Sequence, residues 1–237
     1  MEATTITEQL MEELSGRVLI IKEKLAQYHA AGKKLFATSS FQTQSLPLLH
    51  ILSELDFTVP IYFIDTGFLF PETYLFKEKL SNQLHLKIVT LQSATSKLRQ
   101  LDKQQQFLFM TDPDHCCFVN KILPLEPIIQ QHDIWINGVR ESQSKTREKF
   151  HEDMQGKHGI LRYHPLLKWT AKEIYYYAKY YGLPEHPLQS KGYASLGCIP
   201  CTTTLINAST LSRKGRWAGM RKEECGLHTE LMGVENK

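Results

Sequence analysis

A short apolar run, closed by a polar turn and followed by an amphipathic stretch, recurs along this chain, and that alternation most limits what it can fold into. Leu35-Phe36-Ala37-Thr38 passes through Ser39-Ser40-Phe41-Gln42-Thr43-Gln44-Ser45 into the apolar stretch from Leu46 to Leu55. Ile61-Tyr62-Phe63-Ile64 turns at Asp65-Thr66-Gly67 and leads to a helix from Pro71 to Leu80, proline being suited to a first helical turn. Further strands are expected at Leu86 to Leu91, at Ile134-Trp135-Ile136 before Asn137-Gly138-Val139-Arg140, and at Leu161-Arg162-Tyr163. Strands alternating with helices imply an α/β fold, a doubly wound and mainly parallel sheet. Ligands of such sheets bind beyond the carboxyl ends of the strands. The turns after Thr38, Ile64 and Ile136 therefore share one functional edge.

Leu10, Leu14, Val18, Ile21 and Leu25 recur at steps of three and four, which predicts an amphipathic helix over about residues 6–31, ended by Gly32. Thr170-Ala171-Lys172-Glu173 has capping-box spacing and opens a helix through Tyr181, closed by Gly182 and Pro184. The tyrosines at 175, 176, 177, 180 and 181 read as core packing or a subunit interface, which leaves a homo-oligomer open. From Ser209 onward basic and small residues alternate without helical or strand periodicity. The expected organisation is an α/β body over residues 1–208 and a basic tail over 209–237 that must dock to act.

The chain of 237 residues is 42% hydrophobic and 22% charged, as in an ordinary globular protein, and long enough for one sizeable core. Its net charge of +3 is too small to imply a nucleic-acid surface, although clustered arginines can hold a small anion. No apolar run has the length of a bilayer span, and Met-Glu-Ala-Thr-Thr begins no secretory leader. No membrane association and a cytoplasmic location are expected.

The five cysteines fall into an adjacent pair, Cys116-Cys117, a C-x-x-C at Cys198-Ile199-Pro200-Cys201, and Cys225 within Glu-Cys-Gly-Leu-His. An odd count in close, ligand-like pairs argues for reduced thiols over a disulfide framework. Four thiolates suit zinc or an iron–sulfur cluster; adjacent cysteines are uncommon at tetrahedral zinc, which favours a cluster. Cys225 follows Arg213-Lys214-Gly215-Arg216 and Arg221-Lys222 and precedes His228. Nearby cations lower a thiol's pKa and bind an anionic substrate, so the setting suits a nucleophile. The hydroxyls from Ser39 to Ser45 can cradle a phosphate at a helix N-terminus, though serines there also act simply as caps.

The whole pattern resembles the assimilatory adenylylsulfate reductases, a family grouped with the phosphoadenylylsulfate reductases. The residues that carry the resemblance are Ser39-Ser40-Phe41, Ile64-Asp65-Thr66-Gly67, Cys116-Cys117 with Lys121 and Pro124-Leu125, and Gly138-Val139-Arg140 with Thr146-Arg147. They continue in His186-Pro187-Leu188, Gly192-Tyr193, Cys198 and Cys201, Gly215-Arg216-Trp217, and Glu224-Cys225-Gly226-Leu227-His228. Members often have glycine where this chain has Gln42, and arginine where it has Asn120.

The resemblance implies a PP-loop-type nucleotide-binding fold, with a [4Fe–4S] cluster on Cys116, Cys117, Cys198 and Cys201. It implies substrate contacts from Ser39, Ser40, Phe41, Ser45, Asp65, Thr66, Gly67, Lys121, Gly138, Arg140, Arg147, Arg213, Arg216 and His228. Cys225 would attack the sulfur of adenylylsulfate, forming an S-sulfocysteine that thioredoxin or a similar dithiol protein releases as sulfite. The adjacent cysteine pair points to adenylylsulfate over its 3′-phosphorylated relative, PAPS; a reductase of PAPS, or of both, is the nearest alternative. A zinc-binding PP-loop enzyme that modifies tRNA is a rival of another class, and a non-catalytic metal module leaves Cys225 unexplained.

Overall fold

The computed structural model describes residues 2–204, 215–217, 222 and 224–232, with side chains from Glu8 onward. A long first helix, α1 (Glu2–Ala30), leads into β1 (Leu35–Thr38), α2 (Leu46–Ser53), β2 (Ile61–Asp65), α3 (Pro71–Gln83) and β3 (Ile88–Gln92). Two short helices, α4 (Leu108–Thr111) and α5 (Pro113–Cys117), precede a wider π turn at Phe118–Ile122 and α6 (Leu123–Gln130). Then come β4 (Ile134–Asn137), β5 (Asp153–Gln155), β6 (Leu161–Tyr163) and α7 (Ala171–Tyr180). The six-stranded sheet has the order β3-β2-β1-β4-β6-β5, parallel throughout except for β5, an antiparallel edge strand that the sequence reading did not anticipate.

Side-chain alternation shows why the sheet is covered twice. Leu35 and Ala37, Ile61 and Phe63, and Ile134 and Ile136 join one core with α1, α2, α3 and α7. The intervening Phe36 and Trp135, with Tyr62 and Ile64 partly buried, face a second core containing Ile122, Leu125 and Ile129. Helix α1 enters the first core through Met11, Leu14, Val18, Ile21 and Leu25, a stripe of threes and fours. Its Arg17 pairs with Glu173 of α7 at 2.5 Å. The capping box of α7 forms as the spacing predicts, Thr170 accepting from the Glu173 amide and the Glu173 carboxylate accepting from the Thr170 amide.

Strand order runs outward in both directions from β1 and β4, so the topological switch point lies between them, with Thr38 opposite Asn137. At the same end, the helix between Cys117 and Pro124 loosens into the π turn. Pro124 has no amide hydrogen to return to the carbonyl four residues earlier, so a wider turn there forfeits less than it would elsewhere. No helix among the described residues is long and apolar enough to cross a membrane.

Candidate active site

One cavity opens at the switch point. Its walls are the loop after β1, the ends of β2 and β4, the segment Ser195–Cys198, and the described tail residues Arg216, Cys225, Leu227 and His228. The loop hydroxyls are held in place locally: Ser39 Oγ accepts the Phe41 amide at 3.1 Å, and Ser45 Oγ donates to the Gln42 carbonyl at 2.7 Å. Phe41 itself adopts a left-handed φ of 53° and is fully buried against Phe63, anchoring the loop from beneath. Gln42 ties the loop to the opposite wall, donating to the Leu196 carbonyl at 2.7 Å and accepting the Leu196 amide at 2.9 Å.

Of the residues singled out in the sequence, Ser39, Ser40, Ser45, Thr66, Lys121, Gly138, Arg147, Arg216, Cys225 and His228 line this cavity. Phe41, Asp65, Gly67 and Arg140 do not line it. Asp65 accepts from the Gly67 amide, Tyr74 and Gln92, which fixes the turn after β2. These donors hold its carboxyl below the ordinary range against the burial that would raise it. Gly67, at φ 71°, has a backbone conformation that a side chain would strain, and a Cβ there would displace the Lys97 side chain, 2.4 Å from its Cε. Arg140 is buried and donates to Gln44 at 2.7 Å and to the Trp169 carbonyl at 3.3 Å. Arg213 lies outside the described residues.

The tail residues that are described dock on the body. Arg216 passes over Gly197, where a Cβ would collide with its guanidinium, and donates to the Leu196 and Cys201 carbonyls. Glu224 is gripped from two sides, accepting from Arg147 Nε at 2.8 Å and Nη2 at 3.0 Å, and from Ser144 Oγ at 2.9 Å. Glu224 Oε1 also accepts the Cys225 amide at 2.9 Å. Lys222 pairs with Asp114, and Leu231 is fully buried in the second core.

All five cysteines are buried and free. Cys116, Cys117, Cys198 and Cys201 wall a second, smaller cavity together with Thr66, Phe68, Lys121 and Trp217. Thr66 Oγ1 lies 3.2 Å from Cys198 Sγ. Asn120 donates to the Cys116 carbonyl at 2.9 Å and lies 3.6 Å from its sulfur, while its own carbonyl accepts from Lys97 and Gln100. Burial, together with the neighbouring Cys198 sulfur, pushes the Cys116 thiol up to about 11. No three His, Cys, Asp or Glu side chains among the described residues are placed to hold a single metal ion.

Cys225 differs from the other four. The π turn carries Lys121, whose Nζ lies 3.5 Å from Cys225 Sγ. Cys225 is held well below the ordinary thiol value by a hydrogen bond from Cys117 and, against its own burial, by the Lys121 charge. Burial alone would lower the Lys121 ammonium; the Cys225, Cys117 and Cys198 sulfurs outweigh it and raise it instead. A buried sulfur with a cation beside it is thus set into a cavity lined by hydroxyls, amides and guanidinium groups, an arrangement suited to binding an anion and attacking it.

Three polar residues of this region have places here that the sequence reading did not assign. Asn137 lines the cavity with both amide atoms unpartnered among the described residues. Arg162 is wholly buried against Trp135, and Glu224 finds Arg147 from 77 positions away. Only the folded sheet edge unites them.

Comparison with known proteins matches this architecture. The family model of the phosphoadenosine phosphosulfate reductase domain matches residues 34–204. The adenosine 5′-phosphosulfate reductase of Salinibacter ruber is 34% identical over 202 residues, covering 85% of this chain and 80% of that protein. That of Bacillus cytotoxicus is 34% identical over 222 residues, 92% of this chain and 93% of that one. Among solved structures, the phosphoadenylyl-sulfate reductase of Candida auris in its phosphate complex shares the fold with a TM-score of 0.64 at 20% identity, covering 78% of this chain and 89% of that one. A domain match that runs from the first strand past the C-x-x-C, joined to relatives a third identical over most of their length, places this chain in the phosphoadenosine phosphosulfate reductase domain family.

Proposed function

We propose that this protein reduces adenylylsulfate to sulfite and AMP, as an oxidoreductase of assimilatory sulfate reduction that takes its electrons from thioredoxin or a similar dithiol protein. The observation that carries this reading is Cys225, set 3.5 Å from Lys121 in the cavity walled by the loop after β1. The names of the two relatives above support adenylylsulfate as the substrate, and the Cys116-Cys117 pair favours it over PAPS.

The chemistry divides into two transfers at sulfur. The Cys225 thiolate attacks the sulfate sulfur, an S–S bond forms as the S–O bond to the phosphate breaks, and AMP leaves with the bonding pair. Lys121, Arg147, Arg216 and His228 are the cavity groups suited to the charge that gathers on the sulfonate and phosphate oxygens; Ser39, Ser40 and Ser45 suit the phosphate itself, and Gly138 lines the wall beside them. A thiolate of the dithiol protein then attacks Cys225 Sγ and sulfite departs. The partner's second thiol resolves the mixed disulfide, returning Cys225 as a thiolate with two electrons delivered. The tail, assigned to residues 209–237 on a body of 1–208, closes to exclude water in the first transfer and opens to a protein thiol in the second.

Cys116, Cys117, Cys198 and Cys201 would hold a [4Fe–4S] cluster. Their donor set fits: four unbonded, buried thiols wall one cavity with Lys121. Ligands to a cluster reach separate irons, so four sulfurs around a cavity suit it better than a single ion. When bound, the cluster supplies a positive iron core that polarises the site. With Cys117 engaged on iron its hydrogen bond to Cys225 is no longer available, which leaves Lys121 as the charge that sustains the Cys225 thiolate. Reduced thiols of this kind suit a cytoplasmic enzyme.

The test is anaerobic incubation of iron-replete protein with adenylylsulfate and no reductant, followed by intact-mass analysis. A sulfonate adduct on Cys225, absent from Cys225→Ser, is the expected result. Iron-replete, active protein that shows no adduct overturns the mechanism, and faster turnover of PAPS overturns the substrate.

A further inference from the structure

We infer that Arg162, a residue of the sheet and not of the tail or the loops, sets the tautomer of His228 and so decides which ring nitrogen can donate to the anion. This rests on the assignment of His228 to the substrate cavity proposed above.

Arg162 lies in β6 with no exposed surface. A fully buried guanidinium is costly unless its hydrogens are used and its charge is compensated. No carboxylate among the described residues meets it. Its plane lies over Trp135, 4.5 Å from the ring centroid, with Phe150 at 5.8 Å. Nη1 points at the Met232 sulfur, Nε has no partner among the described residues, and Nη2 lies 2.9 Å from His228 Nδ1. Such an arrangement is a poor way to stabilise a core, and its one good hydrogen bond goes to a ring that lines the cavity.

The direction of that bond is not free. A guanidinium has five N–H donors and no acceptor, so Nδ1 must offer its lone pair. An imidazole that accepts at Nδ1 carries its hydrogen on Nε2. His228 is thereby held as the Nε2–H tautomer, a neutral donor, and a ring protonated on both nitrogens has no lone pair left for Arg162. Stacking on Trp135 fixes the guanidinium plane, and Trp135 is itself pinned by donating to Thr38 Oγ1 at 2.8 Å. The His228 amide also donates to the Cys225 carbonyl at 2.8 Å, so the turn that presents the nucleophile orients the ring as well. Arg162 acts through His228 and is a positioning residue.

The test is a long-range proton–nitrogen correlation of the 15N-histidine-labelled full chain, purified anaerobically with its iron, the His228 signals being assigned by their loss in His228→Asn. The wild-type ring should show an unprotonated Nδ1 and a protonated Nε2. Arg162→Met should let the two tautomers mix, moving both nitrogen resonances, and should lower kcat/KM by about tenfold, a usual scale for a misplaced donor. Arg162→Lys, which restores a donor, should recover the Nε2–H signature. In the double variant Arg162→Met/His228→Asn the loss should equal that of His228→Asn alone. A wild-type ring protonated on Nδ1 overturns the inference without any variant. So does additive loss in the double variant. Full activity in His228→Asn would instead remove His228 from the substrate site and leave the tautomer result standing.

Discussion

Glu224→Gln isolates what holds Cys225 in place. The Arg147–Glu224 pair is bidentate, and the two side chains are only 6% and 2% exposed. Removing the charge from one partner of such a pair leaves the other buried and uncompensated, a loss of about 3–5 kcal/mol. Glutamine keeps the volume and one acceptor, so the low end, about 3 kcal/mol, is the better figure. Glu224 belongs to the tail and Arg147 to the body, so the loss falls on docking and raises the undocked population by roughly a hundredfold. Cys225 is 8% exposed when docked and must open to react with a small alkylating agent. Its rate of modification by iodoacetamide, followed by peptide mass on anaerobic, iron-replete protein, should rise by about the same factor wherever closing outpaces alkylation. A Cys225 rate unchanged from wild type, with the variant folded, refutes the latch.

Asn137→Leu removes a buried amide that has no partner among the described residues, so unfolding of the ligand-free protein in urea should show a gain of about 1 kcal/mol. Calorimetric titration should show weaker AMP binding, and unchanged binding would take Asn137 out of nucleotide recognition. Acid should destabilise the fold through His164 and His186, whose imidazoles burial pulls down to about 4 from 6.5. The unfolded chain takes these protons first, so stability is whole above about pH 6.5 and falls as pH drops towards 4, by up to about 3 kcal/mol for each histidine; a flat urea midpoint across that window would contradict it. Thr170→Ala removes the hydroxyl that caps α7 and should cost about 1 kcal/mol by the same unfolding measurement; no loss would mean that the Glu173 half of the box suffices.

Much of this molecule is legible in its sequence because its signals are local. The short apolar runs at 35–38, 61–65 and 134–137 stand out as strands between polar turns, since both faces of a doubly wound sheet are buried. Edge strand β5 escapes because its three residues, exposed Asp153 and Gln155 around Met154, are too few for an alternation to register. Between Leu108 and Gln130 the helices are short and cut by Pro113, Pro124 and Pro127, so no window is long enough to show a period. The cysteines are conspicuous as a residue type, but their surroundings are not. Arg140 and Arg147 look alike as basic residues after a strand, yet one turns behind the loop to Gln44 while the other meets Glu224. Which way a loop side chain points depends on contacts with distant segments.

The proposed division between body and tail has a chemical logic that these contacts make specific. In the body, Lys121 and Arg147 stand at the cavity as cations. In the tail, Glu224 and Cys225 are adjacent, and each meets one of them: the carboxylate on Arg147, the sulfur near Lys121. Docking therefore matches two charges at neighbouring positions and fixes the sulfur to the length of one residue. On the proposed mechanism, undocking would return both cations to water and expose the same cavity to an incoming anion, which would then share Arg147 with Glu224 when the tail closes. An anion that binds well only with the tail undocked would slow attack, whereas one that draws Lys121 and His228 towards its reacting end is held best in the closed arrangement that also brings Cys225 to it. Closure and reaction then depend on the same contacts, so a tail truncated before Cys225 cannot be replaced by a free thiol without losing the cations' alignment as well.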